Sequence, residues 1–285
     1  MRAFLLLTFF FISFHCFSQT IRVNLMAGAA NYYGDLQTRK LTFNQANAVF
    51  GAGATLDITN KLLLRGEYNF TKLGADDKQN KSASFRTRNL NFKTLIQELD
   101  LMAEYNLWDL SEKKITPYVF AGVGAFKFSP YTTDSLYGKV FLIGLSTEGQ
   151  GFSQYPDRKE YKKLQVNIPI GGGIKYAISD DVQFGFEYGL RLLFTDYLDD
   201  VSTNYIDENV LLNAKGPVAV SLAFRGDEIK TNPRSYPKEG TFRGSPKAKD
   251  LYYYGLARLS IRMNWFENGA GFGRGRNKLG CPRVL

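Results

Sequence analysis

The sequence predicts an all-β protein: an eight-stranded antiparallel transmembrane β-barrel with long extracellular loops and a periplasmic C-terminal tail. Three observations predict it, namely an N-terminal secretion signal, eight long segments of alternating apolar and polar residues, and connections that are alternately short and long. The composition agrees, since 15% aromatic residues and 27 glycines favour antiparallel β structure in a sandwich or a barrel. The expected organisation is a signal peptide over 1–18, a barrel over 19–266 and a basic tail over 267–285.

The first element is the signal peptide. Arg2 precedes an apolar run over 3–14, and Cys16 and Ser18 are small residues at the positions that a signal peptidase reads, which predicts cleavage after Ser18. The apolar run is shorter than the roughly 20 residues that a membrane helix needs. A lipid-modified Cys16 is the alternative, although His15 is larger than the residue expected before such a cysteine.

Cleavage changes the chemistry that the mature chain can perform. It removes His15, which is the single histidine, and leaves Cys281 as the one remaining thiol. Basic residues fall from 36 to 35 against 27 acidic residues, a net charge of +8. Histidine-based acid/base catalysis, histidine-activated nucleophiles and histidine metal sites are excluded, as is an intramolecular disulfide. We therefore expect no catalytic, cofactor-binding or metal-binding residues, and a lipid A acylase or protease is disfavoured.

Eight segments alternate with the period of two that a β-strand requires. The clearest are 182–194 and 251–265, and the other six are 20–30, 47–58, 61–72, 91–107, 115–128 and 163–178. Their lengths of about 10 to 17 residues exceed the roughly 5–6 residues usual in soluble strands and suit strands that cross a membrane. An even number fits a single-chain outer-membrane barrel, and a soluble β protein is the alternative.

The polar face of these segments predicts a charge network in the lumen. Its members are Arg65, Glu67, Glu98, Asp100, Glu104, Glu187, Arg191, Arg258 and Arg262, and Lys175 shares their face. In a soluble sandwich these side chains would point to water. In an eight-stranded barrel they point into an interior that side chains fill, where unpaired charge is costly, so we expect a paired network and no channel.

The connections predict which side of the membrane each end faces. Short connections lie near 59–60, 108–114 and 179–181, and long ones span 31–46, 73–90, 129–162 and 197–248. Outer-membrane barrels have short periplasmic turns and long external loops, which places both termini in the periplasm. Aromatic residues near strand ends are expected to form interface girdles. The candidates are Tyr32, Tyr33, Tyr68, Phe70, Tyr105, Trp108, Tyr118, Tyr176, Tyr253, Trp265 and Phe266.

The loops offer weaker signals. Asp196, Asp199 and Asp200 carry the ligand type that calcium prefers, but their spacing matches no EF-hand, so a solvated loop or a lumen plug is the favoured interpretation. The chain has no basic-aromatic stripe, so no nucleic-acid partner is expected. Outer-membrane lipid and lipopolysaccharide are the expected surface partners, reached by external lysines and arginines.

The tail predicts a docking arm. After Glu267 it contains Arg274, Arg276, Lys278 and Arg283 without a carboxylate, and neighbouring positive charge favours the thiolate of Cys281. Glycines give the segment reach. We expect the tail to bind a periplasmic partner, with Cys281 as the candidate for an intermolecular disulfide. A frayed polar terminus is the alternative.

Three motifs together resemble a known family. They are "NYYGDLQ" at 31–37, "TDYLDDVSTNY" at 195–205 and "LGCP" at 279–282. Their order and placement are similar to those of the PorG-like outer-membrane β-barrels of the Bacteroidetes type IX secretion system. The resemblance implies a non-enzymatic barrel that associates with a periplasmic ring of a PorK-like lipoprotein and a PorN-like protein. A stand-alone barrel, acting through its external loops as an adhesin or in envelope stability, remains the alternative.

Overall fold

The computed structural model describes residues 20–39, 42–80, 82–245 and 249–263. The strands are β1 (Ile21–Tyr33), β2 (Asn47–Asp57), β3 (Leu62–Asp76), β4 (Asn91–Asn106), β5 (Ile115–Lys127), β6 (Tyr131–Asp134), β7 (Gly138–Phe141), β8 (Leu164–Ala177), β9 (Val182–Leu193) and β10 (Leu251–Arg262). The helices are α1 (Ala83–Arg88), α2 (Glu208–Lys215) and α3 (Pro217–Ala223). Within these ranges no helix has the length and apolar character needed to cross a membrane.

Eight of the strands form a closed antiparallel barrel. The neighbours run in the order β3, β2, β1, β10, β9, β8, β5 and β4, and β4 pairs back to β3. The first and last strands pair along most of their length, from Arg22 opposite Arg262 to Tyr33 opposite Leu251. Closure gives each of the eight strands a paired neighbour on both sides, so none of them is an edge strand, which a barrel in a bilayer requires. The predicted fold class is confirmed.

Two features differ from the sequence prediction. The connection between β5 and β8 contains a further hairpin, β6–β7, which extends the wall by pairing Tyr131 with Lys93 of β4. Its strands of four residues each are too short for alternation to be recognised. In addition β1 continues to Tyr33 and β3 to Asp76, because the strands extend beyond the barrel into the region where the loops pack.

The two faces of the wall differ in chemistry. Large apolar side chains on the outside are widely exposed, with exposed fractions of 54% at Leu25, 63% at Leu99 and 64% at Phe186. The alternate residues point inward and are buried, among them Arg65 and Glu98. An apolar outer wall around a charged interior is the arrangement of a membrane-spanning barrel, because lipid then replaces water on the outside.

The girdle prediction was wrong for two inward tyrosines, and a third candidate, Tyr253, is buried with its hydroxyl hydrogen-bonded to the Thr42 backbone. Tyr32 and Tyr118 have inward parity and are buried, and the Tyr118 hydroxyl donates a hydrogen bond to Glu187 at 2.8 Å. Proximity to a strand end did not determine the face on which each ring lies. The outward aromatic residues with large exposed fractions are Tyr68, Phe70, Tyr105, Trp108 and Tyr176. Trp265 and Phe266 lie outside the described residues.

The long connections fold together over one end of the barrel, and we call this assembly the cap (described residues of 34–46, 77–90, 128–163 and 194–250). Its helices α2 and α3 pack through Leu211, Ala219 and Ala223. Leu198 and Val201 of the last connection join the same apolar core as Tyr32 of β1. The cap is therefore a continuation of the barrel core and has a packed interior of its own.

Candidate functional site

The lumen is filled at its centre by a charge network that five strands build, namely β3, β4, β8, β9 and β10. The Arg65 guanidinium donates to Glu67 at 2.7 Å and to Glu104 at 2.9 Å, and lies 3.1 Å from Glu187. Arg258 reaches Glu67 at 2.6 Å and Glu187 at 3.0 Å. Lys175 binds the second oxygen of Glu104. Three cations thus face three carboxylates, and each charge is paired inside a medium that would otherwise penalise it.

A second cluster lies nearer the cap and depends on one arginine. Arg191 is 3.4 Å from Glu98 and 3.6 Å from Asp100, and its guanidinium stacks 3.9 Å above the Tyr254 ring. Neutral donors add further bonds, since Asn167 donates to Glu98 at 2.6 Å and Asn69 donates to Asp100 at 3.2 Å. One oxygen of each carboxylate has no hydrogen-bond partner in the protein.

Eight of the nine residues of the predicted lumen network therefore lie in these two clusters. Arg262 lies apart, because β10 ends there; its side chain is 31% exposed and pairs with Asp181 at 3.6 Å. The alternation could not show this, since parity determines the face of a strand and not the depth in the barrel.

Two arginines hold the four segments of the cap together. Arg88 donates hydrogen bonds to both carboxylate oxygens of Asp77, at 2.7 and 2.8 Å. It also donates to the backbone carbonyl groups of Asp35 and Arg243. Arg243 donates to the Glu148 carboxylate at 3.0 Å and to the Asp200 carbonyl at 2.6 Å. Because these partners come from different connections, both arginines act as cross-links over the external end.

The three carboxylates of the calcium hypothesis do not converge on one point. Asp196 accepts from Ser202, Asp199 from Tyr32, and Asp200 from Thr147 and Tyr161. In the described ranges no group of three or more metal-ligating side chains is arranged for an ion. Burial raises the pKa of Asp196 and of Asp200 to about 6. The segment is thus a plug built from acids that bind hydroxyl and amide donors.

One contact of the plug joins strand β1 to the last connection. The Tyr32 hydroxyl lies 2.6 Å from Asp199 and 2.9 Å from Asp250. A tyrosine hydroxyl has a single proton and can donate to only one of these carboxyls, so the other must carry the proton that completes the second bond. Burial raises the pKa of both Asp199 and Asp250 well above the usual range, which agrees with a shared proton.

The opposite end of the barrel is open. A cavity of about 650 Å³ occupies the end where the short turns lie, and we call it the mouth. It is lined by Arg22, Asp57, Asn60, Asn106, Gln183 and Arg262. Arg22 pairs with Asp57 at 3.3 Å. The first described residue, Thr20, also lines the mouth, so the chain enters and leaves the barrel at this end.

The predicted partner-binding residues lie outside the described part of the chain. They are Cys281, Arg274, Arg276, Lys278 and Arg283. Sequence reasoning also missed cap residues that the structure brings together, above all Asp77, Arg88, Glu148 and Arg243. No local signal identifies them, because their partners are distant in sequence and belong to irregular segments.

Comparison with known proteins finds distant matches among solved structures and assigns no role. Neisserial surface protein A is 10% identical with a TM-score of 0.43, and the match covers 85% of this chain and 97% of that chain. The attachment invasion locus protein Ail of Yersinia pestis is 8% identical with a TM-score of 0.38, covering 86% and 97%. The N-terminal barrel domain of Pseudomonas aeruginosa OprF is 9% identical with a TM-score of 0.36, covering 85% and 97%. No curated protein matches the chain.

A family model matches residues 1–211 and therefore most of the barrel and part of the cap. The matched region includes the first seven strands of the barrel and ends inside α2. The chain belongs to the family described as Domain of unknown function (DUF6089).

Proposed function

We propose that this protein is a non-enzymatic outer-membrane component of a type IX-like protein secretion complex, docked to a periplasmic ring through its C-terminal tail. The observation that carries the proposal is the polarity of the barrel. One end is closed by the cap and the centre is filled by charge pairs, whereas the mouth is open and lies where β10 ends. A sealed barrel suits an anchor better than a conduit.

The outer wall supports the membrane location. Exposed leucine, isoleucine, valine and phenylalanine side chains surround the barrel, and in water they would form an apolar surface far larger than soluble monomers tolerate. The signal peptide directs the chain out of the cytoplasm. With the orientation usual for outer-membrane barrels, the short turns and both termini face the periplasm.

The tail chemistry supports the periplasmic partner. β10 ends at Arg262, which lines the mouth, and residues 267–285 follow it in the sequence. Arg274, Arg276, Lys278 and Arg283 flank the single thiol of the mature chain in the sequence. A basic environment favours the thiolate that exchanges disulfides, and the compartment permits them. The expected partner is a ring of PorK-like and PorN-like subunits that presents acidic residues and an accessible cysteine.

The resemblance to PorG-like barrels has a structural counterpart. Tyr32 belongs to the first motif and Asp199 to the second, and the two are joined by the 2.6 Å hydrogen bond of the plug. In the same cap Asp35 of the first motif accepts from the Ser245 backbone. These motifs therefore serve the cap, and the third motif, at 279–282, is the one that bears on docking.

Deletion of 267–285 tests the proposal directly. We expect the truncated barrel to reach the outer membrane at normal abundance, because its strands are intact, and to recover much less ring protein in a pull-down from solubilised envelopes. A matched control replaces the external hairpin tip 135–137 with Gly-Ser-Gly and keeps the tail. If the truncated protein recovers the ring at the wild-type level, the proposal is wrong.

Cys281→Ser separates covalent from non-covalent docking. On non-reducing gels of whole envelopes, wild-type protein is expected to run partly in a high-mass species that reductant collapses, and the variant is expected to lack it. A variant that retains the species shows that Cys281 is not the linking thiol. If the variant still recovers the ring protein but lacks the high-mass species, charge alone binds the tail to the ring.

The cap favours a second candidate, a stand-alone barrel that acts through its external surface. Apolar side chains on it are widely exposed, at 84% for Leu136 and 77% for Phe242. If this function is the correct one, the hairpin-tip replacement abolishes the adhesion or envelope stability that the barrel confers, whereas deletion of the tail leaves it unchanged.

A further inference from the structure

A cluster of lysines on the outer wall lies at the border between the apolar wall and the cap. We call Lys72 of β3, Lys93 of β4 and Lys139 of β7 the lysine patch. Lys72 and Lys139 converge on the Tyr131 ring, with their Nζ atoms 5.9 and 4.1 Å from its centroid. Lys93 is the direct cross-strand partner of Tyr131. All three lysines are exposed.

The backbone register holds the patch in place. Lys93 also lies opposite Gly74 of β3. A Cβ added at Gly74 would lie 3.2 Å from the Cγ atom of Lys93. Because Gly74 has no side chain, the Lys93 stem can lie flat across the neighbouring strand. Tyr131 is braced edge-on against Phe141 at 6.0 Å. The patch is thus preorganised by β pairing and an aromatic pair.

The patch has no counterion in the described part of the chain. Among the ion pairs within 4.0 Å found there, Lys175 inside the lumen is the only lysine. Asp76 accepts from the Lys78 backbone and Asp134 lies 3.5 Å from Arg225, so these two carboxyls are engaged with other groups. Two of the three lysine ammonium groups lie over one ring and repel each other, and an external anion relieves that repulsion.

The position of the patch determines which anion is in reach. Lys72 is paired across the strands with Leu95, and Phe70 precedes it on the same face. Both apolar side chains are more than 40% exposed, with values of 43% and 41%. The patch therefore lies at the upper limit of the wall that lipid covers, at the depth where long basic side chains reach head groups.

We propose that the lysine patch binds the phosphate groups of lipid A in the outer leaflet, so that the barrel carries a specific lipid on its β3–β4 side. The proposal rests on the outer-membrane placement inferred above. Each lysine ammonium has three donors for phosphate oxygens, and the Tyr131 ring holds two of the stems in one orientation. Apolar Phe70, Leu95 and Leu99 lie below, where the acyl chains of the same lipid run.

The test compares the triple variant Lys72→Gln, Lys93→Gln, Lys139→Gln with a matched triple at the other end, Lys61→Gln, Lys113→Gln, Lys114→Gln. The control lysines are also exposed, and Lys113 lies 4.6 Å above the Trp108 ring, so both triples remove three charges and each removes a contact between a lysine and an aromatic ring. Folded barrels in detergent are titrated with lipid A that carries its phosphates and with the same lipid A after their removal. Tyr131→Leu is a third variant that keeps all charges.

We expect the patch variant to bind phosphorylated lipid A roughly 100-fold more weakly, at about fivefold per lysine. The control should bind as wild type does, and Tyr131→Leu should be intermediate. Equal affinity of wild type and patch variant, or equal affinity of wild type for both lipids, overturns the proposal. Wild-type protein that fails to fractionate with the outer membrane refutes the placement itself, and that outcome is read independently of the titration.

Discussion

Arg65 is the residue on which the charge balance of the lumen depends most. It is fully buried and contacts three carboxylates, from Glu67, Glu104 and Glu187. Its neighbours Arg258 and Lys175 each pair with carboxylates that Arg65 also binds. Removing Arg65 leaves two cations for three buried carboxylates, so one negative charge remains uncompensated.

Arg65→Met therefore should destabilise the folded barrel by about 3–5 kcal/mol, the usual cost of an uncompensated buried charge. Urea unfolding in lipid vesicles, followed by the gel mobility of the folded form, measures the loss. Arg262→Met is the control, because that pair is half exposed and should contribute less than about 1 kcal/mol. Equal unfolding midpoints for the two variants would contradict the network.

Acid residues of the cap predict a pH dependence with a definite sign. Burial raises the pKa of Asp35, Asp196 and Asp200 from 3.8 to about 6. The folded cap then binds more protons than the unfolded one between about pH 4 and 6, so its stability falls as the pH rises through that window. Hydrogen exchange of cap amides should be slower at pH 4.5 than at pH 7.5, after correction for intrinsic rates.

Asp196→Asn tests the source of this pH dependence. Its carboxyl accepts from Ser202 and has one oxygen without a protein partner. The variant should lose part of the slope because one titrating group is removed, whereas Asp180→Asn, on an exposed short turn at the opposite end of the barrel, should keep the slope intact. A flat profile in the wild type shows that these acids do not change protonation on unfolding in this range.

At the scale of elements, the seam between β1 and β10 closes the barrel. Gly28 faces the interior there, and a Cβ at this position would lie 2.0 Å from the Gly255 carbonyl oxygen. Gly255 on the partner strand faces outward, and a Cβ would meet open space. The two glycines therefore have different reasons for being small, although both belong to the same seam.

We expect Gly28→Ala to destabilise the folded form by about 1–3 kcal/mol, the range of overpacking, and to slow closure of the barrel. Gly255→Ala should be close to neutral, since its methyl group points into lipid. Refolding into vesicles, scored by heat-modifiable gel mobility, distinguishes the two variants. If both variants refold as wild type does, the strands at the seam have shifted to accommodate the added methyl group, and the close approach of Gly28 to Gly255 does not limit barrel closure.

At the scale of the whole molecule, two independent barriers close the barrel. The lumen clusters fill the centre, and the cap covers the external end through Arg88 and Arg243. The mouth with its cavity of about 650 Å³ is a recess and not the end of a channel. A passage would require both barriers to open.

Planar bilayers should therefore show no conductance steps for the wild-type barrel. Arg243→Ala, which removes a cross-link of the cap, should increase protease cleavage of the external loops and still conduct no ions, because the lumen pairs remain. Arg234→Ala is the matched control on an exposed part of the same connection. Steady conductance in wild type, or in Arg243→Ala alone, would show that the lumen is not the tighter barrier.

The period-two pattern of apolar and polar residues by itself determined the eight wall strands and their inward residues. Once the strands were located, the connections between them were seen to be short and long in turn. The pattern succeeded because the face of a strand residue is a local property, set by a backbone period of two. Tertiary structure alone decided that Arg262 lies at the mouth and that a hairpin extends the wall at Lys93. The cap belongs to this second group, because Arg88 and Arg243 find partners 11 to 155 residues away. Such contacts depend on how irregular segments pack, and no sequence period records that packing.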